Sequence, residues 1–310
     1  MKTKPILSVI ILSFNTCQIT LDCLKSLNAD KGLEFDMEKP SNSPRIPTEV
    51  IVVDNHSPDD SVKKLKKINW IKLIANQENT GFGKANNQAM KIAQGQYFLL
   101  LNSDTLILHS AVSQSLNWLS AHPEAHICTA QLLNRDKSIQ ASGGFFPNLL
   151  NVLAWSTGLD DLPFFNYLVK PFHPHTPSFY THDRFFLRDH RQDWVTGAFM
   201  LIRASVYQKV GGFDENYFMY GEEVEWSYRM HQSFPKSQCR YLVGPQIIHL
   251  GGASAVKRSD PIIREYQGVL SFFKKHRPAW QLSFVKIFFK ISCLLRSLIN
   301  PIYRQILKEL

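Results

Sequence analysis

Three glutamates fall inside one short run of the stretch GGFDENYFMYGEEVEWSYRM at 211–230: Glu222, Glu223 and Glu225. Carboxylates this close repel one another, and burial beside rings such as Tyr220 and Trp226 raises their proton affinity further. An acid of that kind suits a general base that takes the proton of a hydroxyl. At the start of a helix the run is also favoured by the helix dipole. Successive helix residues point about 100° apart, so one or two of the three can face a crevice and the rest are expected in water. Two further residues carry chemistry. Asp104 ends the apolar run LLLNSD, where a carboxylate suits a hard cation that bridges phosphates. His249, in GPQIIHLGGAS, follows another apolar run and can add a neutral imidazole ligand. Four other histidines (His173, His175, His182 and His190) match no standard metal spacing.

The elements that must position these groups alternate. ILSVIILS (6–13), EVIVVDN (49–55), WIKLIAN (70–76) and QYFLLLNSD (96–104) read as buried strands, and a further strand follows at 126–131. Helical spacing covers 16–29, 58–68, 83–93 and 109–121. Strand–helix alternation predicts an α/β fold with a parallel, doubly wound sheet, whose ligand sits beyond the carboxyl ends of the strands. There the chain places Ser13, Phe14 and Asn15, then Asp54 and Asn55, then Asn76 to Gly83, then Asn102, Ser103 and Asp104. One such residue is most simply a cap or turn former; four strand ends carrying polar groups together predict a binding crevice. Gly81 and Gly83 in NTGFGKANN let the backbone approach a ligand, although the spacing is not that of a Walker loop. Residues 30–48 read as a surface insertion, and the aromatic, Pro- and His-rich residues 145–192 as a long excursion, functional or packed on the core.

Composition narrows the function. Hydrophobic residues at 44% and charged residues at 20% exclude disorder as the main state. Of the net charge of +9, residues 269–310 carry +7 (eight Lys and Arg against Glu309) and the rest carries +2. A near-neutral body argues against nucleic acid as a partner. Five cysteines without a CxxC pair point to reduced thiols and a cytoplasmic location. The N-terminal apolar run is too short for a leader peptide and reads as a strand, and no run is long enough to span a bilayer.

SVIILSFN, VVDNHSPDDS, NTGFGKANNQA, LLLNSDT, WVTGAFMLIR, VGGFDENYFMYGEEVEWSYR and IIHLGGAS occur in this order. As a set they closely resemble the family 2 glycosyltransferases, in particular the rhamnosyltransferase-like branch. The resemblance implies the GT-A nucleotide-sugar transferase fold, with a mostly parallel central sheet flanked by helices and amphipathic helices at the C-terminus. It implies a domain over 1–268, split into a nucleotide-binding half (1–131) and an acceptor half (132–268), followed by a basic tail (269–310). It places Asp54 on the nucleotide base, Ser13 and Asn15 beside the nucleotide, and Asn79, Gly81, Lys84, Asn102, Ser103 and Asp104 around the donor. Asp104 and His249 would hold Mg²⁺ or Mn²⁺, and Glu223 would be the catalytic base, with Glu222 the second candidate. Trp194, Gly197, Tyr220 and Trp226 would meet the acceptor, or the aromatics would simply be core. The chain departs from the family pattern in reading Asn102-Ser103-Asp104 for Asn-Pro-Asp, and Glu for the commoner Asp at the base.

The implied activity is inverting transfer of a sugar, with dTDP-rhamnose the first candidate donor, to a cell-surface polysaccharide or lipid-linked glycan precursor. A nucleotidyltransferase would need a Gly- and basic-rich loop at the first strand, and LSFNTCQ is not one. An inactive sugar- or nucleotide-binding protein on the same fold would have no use for Asp104, Glu223 and His249 together. The run SFVKIFFKISCLLRSLI (283–299) winds into a basic amphipathic helix suited to the anionic inner face of the plasma membrane. It suits equally a face packed on the domain or on a second copy in a homodimer.

Overall fold

Each central strand alternates its apolar side chains between two faces, as a pleated strand buried on both sides must. In a computed structural model, which describes residues 3–38, 44–162, 168–174, 185–251 and 260–309, Val9 and Ile11 of β1 (Leu7–Ser13) join one core while Ile10 joins the other. Strands β2 (Leu33–Glu34), β3 (Ile46–Asp54), β4 (Ile71–Ala75) and β5 (Tyr97–Asn102) complete the first half of the sheet. Every pairing in this half is parallel, and Ser13 lies opposite Asp54 while Leu12 lies opposite Asn102. The register therefore delivers the strand ends to a single edge. Helices α1 (Cys17–Asn28), α2 (Ser61–Leu65) and α3 (Phe82–Ile92) link these strands.

The second half departs from a purely parallel sheet. Short β6 (Thr105–Ile107), helix α4 (Ala111–Ala121) and β7 (Ala125–Leu133) follow, but β7 does not lie beside β5. Strand β10 (Phe199–Arg203) enters between them, antiparallel to both. Strand β11 (Gln238–His249) runs parallel to β7, and its end pairs antiparallel with β6, His249 opposite Thr105. That pairing brings a residue from late in the chain beside Asp104. Two-residue β8 (Ile139–Gln140) and β9 (His190–Gln192) pair with β7 and β11.

Helices α5 (Leu149–Thr157), α6 (Ala204–Val210), α7 (Glu222–Ser233), α8 (Asp260–His276), α9 (Ala279–Arg296) and α10 (Ile302–Glu309) complete the chain. A third apolar cluster joins α5, α8, α9 and α10 through Val152, Tyr266, Phe272, Phe273, Phe289 and Ile306, and takes in Phe172 and Trp194. The described part of the 145–192 excursion is thus core-packed in large measure. The expected boundary at 268 falls inside α8.

Two expectations change. The insertion at 30–48 is only partly surface: Asp30 is buried and accepts hydrogen bonds from the amides of Val112 and Ser113, capping the start of α4. The helix expected at 58–68 shortens to five residues, with Ser61 and Leu65 its buried positions. The histidine readings also resolve in part. His173 pairs with Glu265 at 2.8 Å and His190 stacks on Tyr241, while His175 and His182 lie outside the described residues.

Candidate active site

Asn55, one residue beyond β3, ties the crevice together. Its side chain donates to Asn79 Oδ1 at 2.8 Å and to the Gly81 carbonyl at 3.3 Å, and accepts from Thr80 N and Asn76 Nδ2. Gly81 has φ +82°, and a Cβ there would lie 2.4 Å from the Phe218 carbonyl. The next amide, Phe82 N, donates to that same carbonyl at 2.7 Å. The loop after β4 is therefore locked to the segment that precedes α7, and glycine is required by both space and backbone angle.

These contacts frame a cleft of 390 Å³ lined by Phe14, Thr16, Asn55, Asn79, Gly81, Asn102, Ser103, Asp104, Gly197, Tyr220, Glu222, Glu223 and His249. From α8, Asp260, Pro261 and Arg264 also line it. Arg264 is the sole Lys or Arg on this wall among the described residues, and its guanidinium sits 4.2 Å from the centre of the Phe218 ring.

The β5–β6 turn holds Asp104, whose carbonyl accepts from Leu250 N at 2.9 Å. Its Oδ1 lies 3.4 Å from His249 Nε2. His249 Nδ1 donates to Gln140 Oε1 at 2.6 Å, and the Gln140 amide is oriented in turn by donating to Asn134 Oδ1 at 2.9 Å. This leaves the Nε2 lone pair facing Asp104, the tautomer a metal ligand needs. Among the described residues no three His, Cys, Asp or Glu groups converge on one point. One carboxylate and one imidazole, with the rest of the shell left to phosphate oxygens and water, fit a Mg²⁺ or Mn²⁺ ion that rides on a diphosphate.

Helix α7 opens at the cleft. Glu222 is 2% exposed and its Oε2 has no hydrogen-bond partner among the described residues. Burial pushes its proton affinity well above the ordinary carboxylate range, and the charge of Glu223 adds to it. Glu223 is also pushed up by burial, but backbone amides and His173 pull it part of the way back. Two such neighbours titrate as a pair. Between them the two carboxyls keep a proton more readily than two isolated ones would. Tyr220, just before the helix, takes a left-handed φ of +68°, a costly conformation for a non-glycine residue. Glu223 and Tyr220 also line a second, 40 Å³ pocket with Phe172, His173 and Trp194.

Other expected positions differ. Ser13 is buried, its hydroxyl 2.9 Å from Thr20 and 3.4 Å from Thr16, and Thr16 takes its place on the cleft wall. Asn15 and Lys84 are exposed and outside the cleft lining. Asp54 lies buried behind the wall; Oδ1 accepts from Ser57 N at 2.9 Å and Oδ2 has no partner among the described residues. Trp226 is core, its indole donating to the Gly211 carbonyl at 2.8 Å, so it cannot stack on a sugar. Trp194 is also buried and reaches only the smaller pocket. Gly197 stays on the cleft wall because a Cβ would strike the Phe82 ring at 2.6 Å. Glu225 is not in water: it is fully buried and bonded to Arg229 (2.8 Å), Lys275 (2.5 Å) and His276 (3.0 Å). Asn55 falls on the strand-end edge expected for it, whereas Thr16, Gln140 and Arg264 were not among the expected residues and had no local signal.

Residues 8–211 match the description glycosyl transferase family 2. The chain is 26% identical over 200 residues to N-acetylglucosaminyl-diphospho-decaprenol L-rhamnosyltransferase of Mycobacterium tuberculosis, covering 59% of this chain and 61% of that protein. It is 27% identical over 159 residues to rhamnosyltransferase WbbL of Escherichia coli K12, covering 48% of this chain and 54% of that protein. The match thus spans little more than half the length of these relatives. Among solved structures, GalNAc-T7 with UDP, GalNAc and Mn²⁺ superposes over 87% of this chain and 48% of its own, with a TM-score of 0.57 at 15% identity, a likeness of fold. The fold is GT-A, and the chain belongs to glycosyl transferase family 2.

Proposed function

We propose that this chain is an inverting, metal-dependent glycosyltransferase that moves a sugar from a nucleoside-diphosphate donor to a hydroxyl of a glycan or lipid-linked glycan precursor. The two rhamnosyltransferase relatives make dTDP-rhamnose the first donor to test. The observation that carries the reading is Glu223, a carboxylate of raised proton affinity set where the large cleft meets a second, aromatic pocket.

Glu223 takes the proton of the acceptor hydroxyl as its oxygen attacks the anomeric carbon, and Glu222 keeps its own proton beside it. Asp104 and His249 would hold a divalent cation, which when bound stabilises charge on the departing diphosphate. Arg264 adds a fixed positive charge on the same wall. Asn55 and Gly81 hold the loop that presents backbone to the donor, and Asp54, beside Asn55 at the end of β3, is the residue assigned to the nucleobase. Tyr220 lines both cavities and is the ring available to the acceptor.

The test is a panel of nucleotide sugars with Mn²⁺ or Mg²⁺, comparing wild type with Glu223→Gln. One donor consumed, a need for metal, and slow turnover with intact donor binding in the variant support the reading. An equally active variant would move the base to Glu222, and failure to bind any nucleotide sugar would overturn the reading.

A further inference from the structure

Helix α9 turns a single face to the protein. Val285, Phe289 and Cys293 are buried, with Phe289 packed on Tyr266 (ring centres 4.5 Å apart) and on Trp155 (6.0 Å). The opposite face is apolar too. Phe284, Ile287, Ile291 and Leu295 are 48–58% exposed, and the stripe continues past the helix into Leu298 and Ile299 at 78% and 90%. Spacings of three and four residues keep these side chains in one line. A contiguous apolar stripe of this kind in water marks a contact surface.

Its borders say what the contact is. Lys286 and Lys290 are exposed on the flank, about 100° around the helix from the stripe. Neither makes an ion pair among the described residues. Residues 269–310 set eight Lys and Arg against one acid. Two copies packing stripe to stripe would bring these cations together, and like charges across an interface are unfavourable. Anionic headgroups would neutralise them, while the long lysine stems reach from an apolar layer to its polar edge. No described helix is long and apolar enough to cross a membrane.

We propose that α9 lies in the plane of an anionic bilayer surface, its outer stripe in the acyl boundary and Lys286 and Lys290 at the headgroups. The placement is independent of the transfer chemistry. It also has a geometric consequence. Tyr266, early in α8, meets Phe289, late in α9, so the two helices run antiparallel across their two-residue link. The most exposed end of the stripe therefore returns toward the end of α8 that carries Asp260 and Arg264 at the cleft. A lipid-anchored acceptor would then enter from the membrane side.

The experiment is co-sedimentation of the full chain with vesicles of phosphatidylcholine and phosphatidylglycerol, and with phosphatidylcholine alone. The wild type is expected to bind the mixed vesicles, less so in high salt, and to bind the neutral ones weakly. Lys286→Gln with Lys290→Gln lowers partitioning on the order of ten-fold or more. Ile287→Asp with Ile291→Asp lowers it on the order of a hundred-fold. All four positions are exposed, and circular dichroism and Tm confirm folding of both variants. A wild type that stays in the supernatant with mixed vesicles, or variants that bind as well as wild type, would overturn the proposal. Sedimentation equilibrium showing a dimer lost in Ile287→Asp/Ile291→Asp, without vesicle binding, would assign the face to a second copy.

Discussion

One turn of α7 holds the same chemical group in two opposite settings. Glu225 is fully buried and answered by Arg229, Lys275 and His276, while on the cleft side buried Glu222 and half-buried Glu223 each keep an oxygen with no hydrogen-bond partner among the described residues. Burial raises all three carboxyls. At Glu225 the bonds from Lys275 and Arg229 outweigh burial and hold the group below its ordinary range; at Glu222 nothing does. A buried acid with cations around it is a tie between helices, here α7 to α8. A buried acid left without them is held for chemistry.

The largest effect expected from breaking this contrast is at Glu223. Glu223→Gln keeps size and hydrogen bonding but cannot take a proton. Turnover should fall on the order of 10³-fold with little change in Tm or donor affinity. A fall of less than about ten-fold would remove Glu223 from the role of base.

The cleft has its own hidden support in Gln140, which orients His249. Gln140→Leu should raise the Mn²⁺ concentration for half-maximal activity roughly 10- to 100-fold, with saturated turnover largely restored. A variant with wild-type metal dependence would mean that the His249 tautomer does not matter.

On the other side of the helix, Glu225→Gln leaves Lys275, Arg229 and His276 facing a neutral amide. Both larger cations are partly solvated, so the cost is about 2 kcal/mol rather than that of a fully buried pair. Thermal unfolding should show it as a lower Tm, while turnover of the folded enzyme at low temperature stays near wild type. A loss of turnover without a loss of Tm would place Glu225 with the catalytic acids.

Why the two sides could not be told apart from the chain itself follows from where their partners lie. Lys275 and His276 stand fifty residues downstream of Glu225, and only the packing of α8 on α7 brings them in. Trp226 looked like a sugar platform because a buried and a stacked indole share the same local pattern. Arg264 reaches the cleft from a helix with no motif of its own. The strand ends were legible for the opposite reason. Short β-branched runs announce parallel strands, parallel strands align their carboxyl ends, and Asn79, Gly81, Asn102 and Asp104 fell on that edge as expected. Strand β10 was not foreseen as the antiparallel partner between β5 and β7, since strand order in a sheet depends on pairing far along the chain.

The finest test of the comparison is the pH dependence of stability. Glu225, held low when folded, contributes stability that is present above its unfolded value near 4.5 and lost as pH falls. Glu222, held high when folded, acts in the other sense. Above 4.5 the unfolded chain releases the proton that the folded chain retains, so stability falls as pH rises through that window. Relative to wild type, Glu222→Gln should therefore gain Tm from pH 5 upward and match wild type in acid, whereas Glu225→Gln should lose Tm at neutral pH and converge with wild type in acid. Two difference curves of opposite sign, from residues three apart on one helix, would separate the acid kept for chemistry from the acid kept for structure. Curves of the same sign would mean that Glu222 finds a cation in solution, and the distinction between the two faces of α7 would fail.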